Sequence, residues 1–371
     1  MLRLSSVLLA ALLLGGCKLT VLDPSGDIAS QQGDLIVYST ILMLIVVVPV
    51  LALTAFFAFH YRDSNKRASY APDWDHSISL EIVVWSVPLA IISCLAGLTW
   101  VATHRLDPYE PLTRISESQS IDESVAPLRV QVVALDWKWL FIYPEYGVAS
   151  VNEAAAIVDR PIQFELTSTT VMNSFAIPAL AGQIYAMAGM ETELNAVINE
   201  PGTYDGFSAN YSGAGFSQMR FKFHGLDDNA FDDWVTVLRD ADEALGREAF
   251  VALEDQSVDH PVTYYSEVEE GLWRRIVNLC VGDDALCLDD MMVVDALGGG
   301  GLAGLYNRDM FRGMCSATDT RALYYMLKST MPQESEDIIA ALDLAPEDWI
   351  AAPLASPVPP AASLAPHSEG R

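Results

Sequence analysis

The sequence predicts a membrane α plus all-β chain: a two-helix transmembrane hairpin, a β-sandwich or barrel outside the membrane, and a helical C-terminal extension. Three observations carry this reading. Two long uncharged apolar runs precede residue 104, short alternating β-branched segments punctuated by Gly, Pro and Asn fill residues 127–226, and an apolar stripe of helical period follows. With 51% hydrophobic residues and a mean hydropathy of +0.24, part of the chain belongs in lipid, so the net charge of −28 has to sit on the rest. Such an acidic exterior excludes nucleic acid as a partner, since neutralising phosphates requires Lys and Arg. It keeps a domain soluble, and it would also suit a basic protein partner.

Arg3, the apolar run Val7–Leu14 and Gly15-Gly16-Cys17 have the form of a bacterial secretion signal ending in a lipobox. Residues 1–16 are therefore set aside as a lipoprotein signal peptide, Cys17 is the expected lipidation site, and 17–34 form a short outer segment. The run is too short to span a bilayer itself.

Residues 35–61 and 80–103 are the expected transmembrane helices. The uncharged stretch Leu35–Phe59 is about 25 residues, enough to cross a core of about 30 Å. Pro49 and Pro88 are interruptions that membrane helices tolerate. The loop 62–79 carries Arg62, Lys66 and Arg67, which places it in the cytoplasm and both ends of the hairpin outside, in agreement with the lipobox. Tyr61, Trp74, Trp85 and Trp100 sit near the span ends as interfacial anchors. Glu81 is an acid at the cytoplasmic mouth of the second span. Such a group is a functional candidate, although the helix N-terminus alone would stabilise it by roughly 0.3–1 kcal/mol.

A Pro-containing linker, 104–126, leads to the β domain, 127–226, whose expected strands are Leu128–Leu135, Pro161–Thr167, Glu191–Ile198, Thr203–Tyr211 and Met219–His224. Beyond it, Phe231, Trp234, Val235 and Leu238 share one helix face and open a helical extension with an insertion, 227–350. Residues 351–371, rich in Pro and Ala, are expected to be disordered. Cys280, Cys287 and Cys315 allow one disulfide and one free thiol, with the pairing open.

The stretch TYDGFSANYSGAGFSQMRFKFH, Thr203–His224, offers Ser208, Asn210, Ser212, Phe216 and Met219 at intervals of two, two, four and three. With VMNSFAIPAL (171–180), DWKWLFIYPE (136–145), QIYAMAGM (183–190) and NEPGTYDG (199–206), this order resembles subunit II of the haem–copper oxidases over residues 35–226. The resemblance implies a cupredoxin-like fold. It also implies a dinuclear copper loop of pattern Cys-x-Glu-x-Cys-x-x-x-His-x-x-Met, completed by a His on an earlier strand. Here Ser208, Asn210, Ser212 and Phe216 stand in the loop and Asn173 on the earlier strand, with only Met219 retained. Copper of this kind needs thiolate and imidazole, so these six positions are expected to be vestigial and the chain to hold no metal.

That loss resembles the quinol oxidases of the superfamily, of cytochrome bo type. The resemblance implies a proton-translocating ubiquinol oxidase of a bacterial inner membrane, with haem b, haem o and copper in a large subunit I and further small membrane subunits as partners. It implies no cofactor or catalytic residue on this chain, no docking of cytochrome c, and a proton-uptake role for Glu81. Trp137 and Trp139 are then packing or subunit contacts rather than an electron entry. Two alternatives are weighed. Subunit II of a cytochrome c oxidase suits the acidic charge but lacks the ligands, and a copper-binding cupredoxin lipoprotein lacks the soft donors.

Overall fold

The computed structural model describes residues 20–69, 73–122 and 125–282, with 285, 287–289 and 291. The expected signal peptide, Cys17, Cys315 and the Pro/Ala tail lie outside the described residues, as does most of the insertion.

Two long helices come first, α1 at Asp27–His60 and α2 at Ile78–Arg105, and they pack against each other. Both are long and apolar enough to cross a membrane. Large apolar side chains such as Leu51, Phe59, Ile82, Leu89 and Trp100 are exposed on them. Exposure of this kind in water would cost about 25 cal/mol per Å2, so the surface suits lipid or neighbouring helices. α1 begins before its apolar run, at Asp27. Its start is stitched to the β domain: the Ser25 and Gly26 amides donate to the Ala179 carbonyl at 3.0 and 2.9 Å, and Asn199 N–H donates to Ser25 O at 2.8 Å. Gly26 permits that approach, because a Cβ there would lie 2.4 Å from the Leu180 carbonyl oxygen.

The linker forms a small hairpin, β1 (Arg114–Ser116) with β2 (Gln119–Ser120). The domain strands are β3 (Leu128–Leu135), β4 (Lys138–Tyr143), β5 (Val148–Val151), β6 (Glu153–Ile157), β7 (Ile162–Ser168), β8 (Asn173–Ala176), β9 (Gln183–Ala186), β10 (Thr192–Ala196), β11 (Gly202–Ser208), β12 (Arg220–Leu226) and β13 (Thr263–Tyr265). They make two sheets, a six-stranded one in the order β10-β7-β3-β4-β5-β13 and a five-stranded one in the order β6-β12-β11-β8-β9. β3 runs parallel to β7 and β6 parallel to β12, and the other pairs are antiparallel.

Between the sheets lies an aromatic core. Trp139, Phe141 and Tyr143 on alternate positions of β4 meet Phe164, Phe175, Phe221 and Phe223. Phe175 and Phe221 stack at 5.3 Å, and Trp139 meets both edge-on. Gly206 makes room for this, since a Cβ there would come within 2.1 Å of the Phe221 ring. Tyr143 is fully buried, and its hydroxyl donates to Ala155 O and accepts from Ala155 N–H.

The other face of β3 and β4 is covered as well. Val133, Leu135, Leu140 and Ile142 pack under Leu245, Phe250, Leu253, Leu272 and Ile276 of the extension, which comprises α3 (Asp228–Arg239), α4 (Arg247–Glu254), β13 and α5 (Leu272–Val277). In α3, Phe231, Val235 and Leu238 face the core as their spacing predicts, and Asp227 caps the helix by accepting from Ala230 N–H. Buried Lys138 tethers the extension by donating to Asp255 O and Ser257 Oγ at 2.7 and 2.6 Å. Burial lowers the pKa of its ammonium. Cys280 and Cys287 are both disulfide-bonded.

Candidate functional site: the loop between β11 and β12

Antiparallel pairing of β11 with β12, from Gly202↔Gly225 to Phe207↔Arg220, places the ends of the 209–219 loop side by side. β8 pairs with β11 through Ser208↔Phe175, which brings Asn173 to the same end of the sheet. Asn173, Ser208, Asn210 and Met219 therefore come together there. Ser208 N–H donates to Met219 O at 3.1 Å, closing the loop neck. The Ser208 hydroxyl lies 3.2 Å from both Asn173 Oδ1 and Asn210 O. Asn173 Nδ2 donates to Val171 O, and Asn210 Nδ2 to Met172 O at 3.1 Å. Asn173, Ser208 and Met219 are buried.

Ser212 offers its carbonyl to Trp137 Nε1 at 3.1 Å, while its buried hydroxyl has no hydrogen-bond partner among the described residues. Phe216 opens a short 3-10 turn, and its ring sits 5.7 Å from Tyr211. Trp137 holds the loop from below in a left-handed conformation, φ 68°. Its ring takes the space over Gly215, where a Cβ would come within 2.3 Å of it. Backbone bonds and an indole thus set the loop's shape. The side chains do not fit a dinuclear copper centre: they offer two amides, hydroxyls, a phenyl ring and one thioether, and the Asn173 amide and the Ser208 hydroxyl bond to each other. Trp139, by contrast, is fully buried in the core.

At the other end of the hairpin, Glu81 occupies the first turn of α2, its N–H donating to Ser77 O. Its carboxylate lies 2.8 Å from His76 Nδ1, with both side chains 56% exposed. His76 was not legible from the sequence, because the contact depends on how the chain enters the helix.

Four residues from four strands form a further polar cluster. His224 places Nδ1 3.0 Å from Thr203 Oγ1 and Nε2 2.6 Å from Glu153 Oε1, and Tyr264 donates to the other Glu153 oxygen. The His224 hydrogen bond holds the Glu153 carboxyl below its ordinary pKa against the opposing effect of burial, and Tyr264 assists. Burial and Glu153 push the Tyr264 phenol up. A carboxyl depressed in the fold contributes stability above the unfolded carboxylate range and loses it as pH falls through the folded pKa. A raised phenol contributes below the ordinary tyrosine range and loses it as pH rises beyond that range. The urea midpoint of the wild-type domain is therefore expected to fall as pH drops from about 6 to about 3, and Glu153→Gln to flatten that limb. Equal slopes in the two proteins would remove Glu153 from the account.

The family described as cytochrome c oxidase subunit II, periplasmic domain, matches residues 143–225, and the COX aromatic-rich motif matches residues 239–284. Subunit 2 of the cytochrome bo(3) ubiquinol oxidase of Pseudomonas aeruginosa is 49% identical over 267 residues, 72% of this chain and 78% of that one. The corresponding subunit of Pseudomonas putida is 48% identical over 73% of this chain and 83% of its own. Subunit 2 of the ubiquinol oxidase of Acetobacter aceti is 47% identical over 72% and 85%. The chain belongs to the ubiquinol oxidase subunit 2 family. In this family member the first match contains both β8 and the β11–β12 loop. The second contains α4, β13 and α5, the part of the extension that closes the outer face of the six-stranded sheet, including Tyr264 and Tyr265.

Proposed function

We propose that the chain is subunit 2 of a proton-translocating ubiquinol oxidase of cytochrome bo type in a bacterial inner membrane. Ubiquinol dissolved in the bilayer delivers electrons to haem b, haem o and copper in the large subunit I, which reduces oxygen. The chain itself holds neither haem nor copper. Its two helices embed it beside subunit I and the smaller membrane subunits, and its β domain caps that assembly on the periplasmic side. Lipid on Cys17 anchors the mature N-terminus to the outer surface of the same membrane.

The observation that carries this reading is the 49% identity, across 72% of the chain, to a protein named as subunit 2 of a ubiquinol oxidase. The donor chemistry at Asn173, Ser208, Ser212 and Phe216 supports it, because an electron entry from cytochrome c would need a metal that these groups do not hold. Trp137 then serves to hold the loop rather than to pass electrons. The reading is tested on the complex purified through this subunit in mild detergent. Copper at the level of one catalytic haem–copper site is expected, with turnover on ubiquinol and none on reduced cytochrome c. Two further coppers, or oxidation of cytochrome c, would overturn it.

Glu81 is proposed to pick up protons at the cytoplasmic entrance and pass them toward subunit I, a task that a half-exposed carboxylate beside an imidazole can perform by ionising reversibly. Glu81→Gln is expected to lower turnover roughly tenfold or more and to change its pH dependence. Unchanged turnover with an unchanged pH profile would withdraw the role.

A further inference from the structure

Where the outer ends of α1 and α2 meet the linker and the β domain there is a cleft of about 500 Å3. Asp27, His104, Arg105, Asp107, Glu110 and Arg114 are among the residues that line it. Most of its charged groups are already engaged. Asp27, only 7% exposed, accepts from Arg114 Nε and Gln31 Nε2, both at 2.8 Å. His104 Nδ1 contacts Trp100 O, and Asp107 Oδ1 accepts from Tyr109 N–H. Arg105 and Glu110 are different. They line the same cleft, yet their side chains pair neither with each other nor with any other described residue. A guanidinium and a carboxylate left open in one cleft match a ligand that carries one charge of each sign.

The depth of the cleft narrows the choice. His104 and Arg105 are the last residues of α2, directly after the apolar run that ends at Thr103, and Gln31 and Gln32 lie one turn beyond the run that starts at Leu35. At about 1.5 Å per residue, these groups stand within about 6 Å of the hydrocarbon edge, inside the headgroup layer. We propose that the cleft binds the headgroup of a zwitterionic aminophospholipid of the outer leaflet, with phosphate on Arg105 and ammonium on Glu110. The proposal rests on the reading of the hairpin as membrane-embedded.

The test uses the whole oxidase complex in vesicles containing phosphatidylethanolamine with a diazirine next to the glycerol, and cross-links are mapped by peptide mass spectrometry. Cross-links are expected within residues 104–114. Arg105→Gln and Glu110→Gln should each reduce them roughly tenfold, as for the loss of one charge-assisted contact, while Arg105→Lys retains them. A second probe with the diazirine at the acyl end should mark α1 and α2 in every variant. If the acyl-end probe marks the helices and the glycerol probe misses the cleft, or labels both Gln variants as strongly as wild type, the headgroup site is wrong. Failure of both probes would reject the membrane placement instead. Loss of glycerol-probe labelling in excess inorganic phosphate would assign the cleft to a free anion and overturn the lipid.

Discussion

Exchanging Asn173 for His, Ser208 and Ser212 for Cys, and Phe216 for His is expected to raise the copper content of the purified complex by about two ions, since soft thiolate and imidazole donors are what such a centre needs. Part of the arrangement is already in place. Ser208 and Asn173 touch at 3.2 Å across β11 and β8, Met219 is buried at the loop neck, and Ser212 carries a buried hydroxyl with no partner among the described residues. The ligands would replace groups whose positions are set by backbone bonds and by Trp137, so the loop need not be rebuilt. Metal analysis and thiolate–copper absorption check the result, and turnover on ubiquinol should persist because the proposed route avoids this loop. A correctly assembled quadruple variant with no added copper would mean that the loop has drifted from the metal-binding shape. Restoring only the two Cys should give much weaker retention, because the imidazole positions stay empty.

Phe221→Ala is expected to produce the largest loss of stability of any single change considered, about 3–5 kcal/mol. Its ring stacks on Phe175, meets Trp139 and Phe141, and fills the space over Gly206. Gly206→Ala attacks the same contact from the other side by overpacking, at about 1–3 kcal/mol. The two residues share one space, so their effects should not add: the small side chain in Phe221→Ala relieves the clash that Gly206→Ala creates. Urea titration followed by tryptophan emission would read both, and additive losses would contradict the geometry.

Much of the organisation was legible in the residues themselves. Apolar runs free of charge specified the hairpin, because chain length and hydrophobicity alone decide whether a helix can cross a bilayer. The spacing of Phe231, Val235 and Leu238 specified the buried face of α3. Ser208, Asn210, Ser212, Phe216 and Met219 could be named because their intervals match the copper-loop pattern that the resemblance supplies. The strands β4, β5 and β6 were less legible. LFIY within β4 is buried on both faces, so it lacks the alternation that marks a half-exposed strand.

By itself, then, the sequence determined the two long apolar helices, the β domain after them, and the chemical poverty of the loop, because each depends on composition and local spacing. Only the tertiary structure decided what covers what. The extension closes the outer face of β3 and β4, β13 joins the six-stranded sheet, Tyr264 reaches Glu153 across 111 positions, and Arg114 reaches Asp27 across 87. These are contacts between distant segments, whose energies depend on burial and pairing that no local pattern encodes.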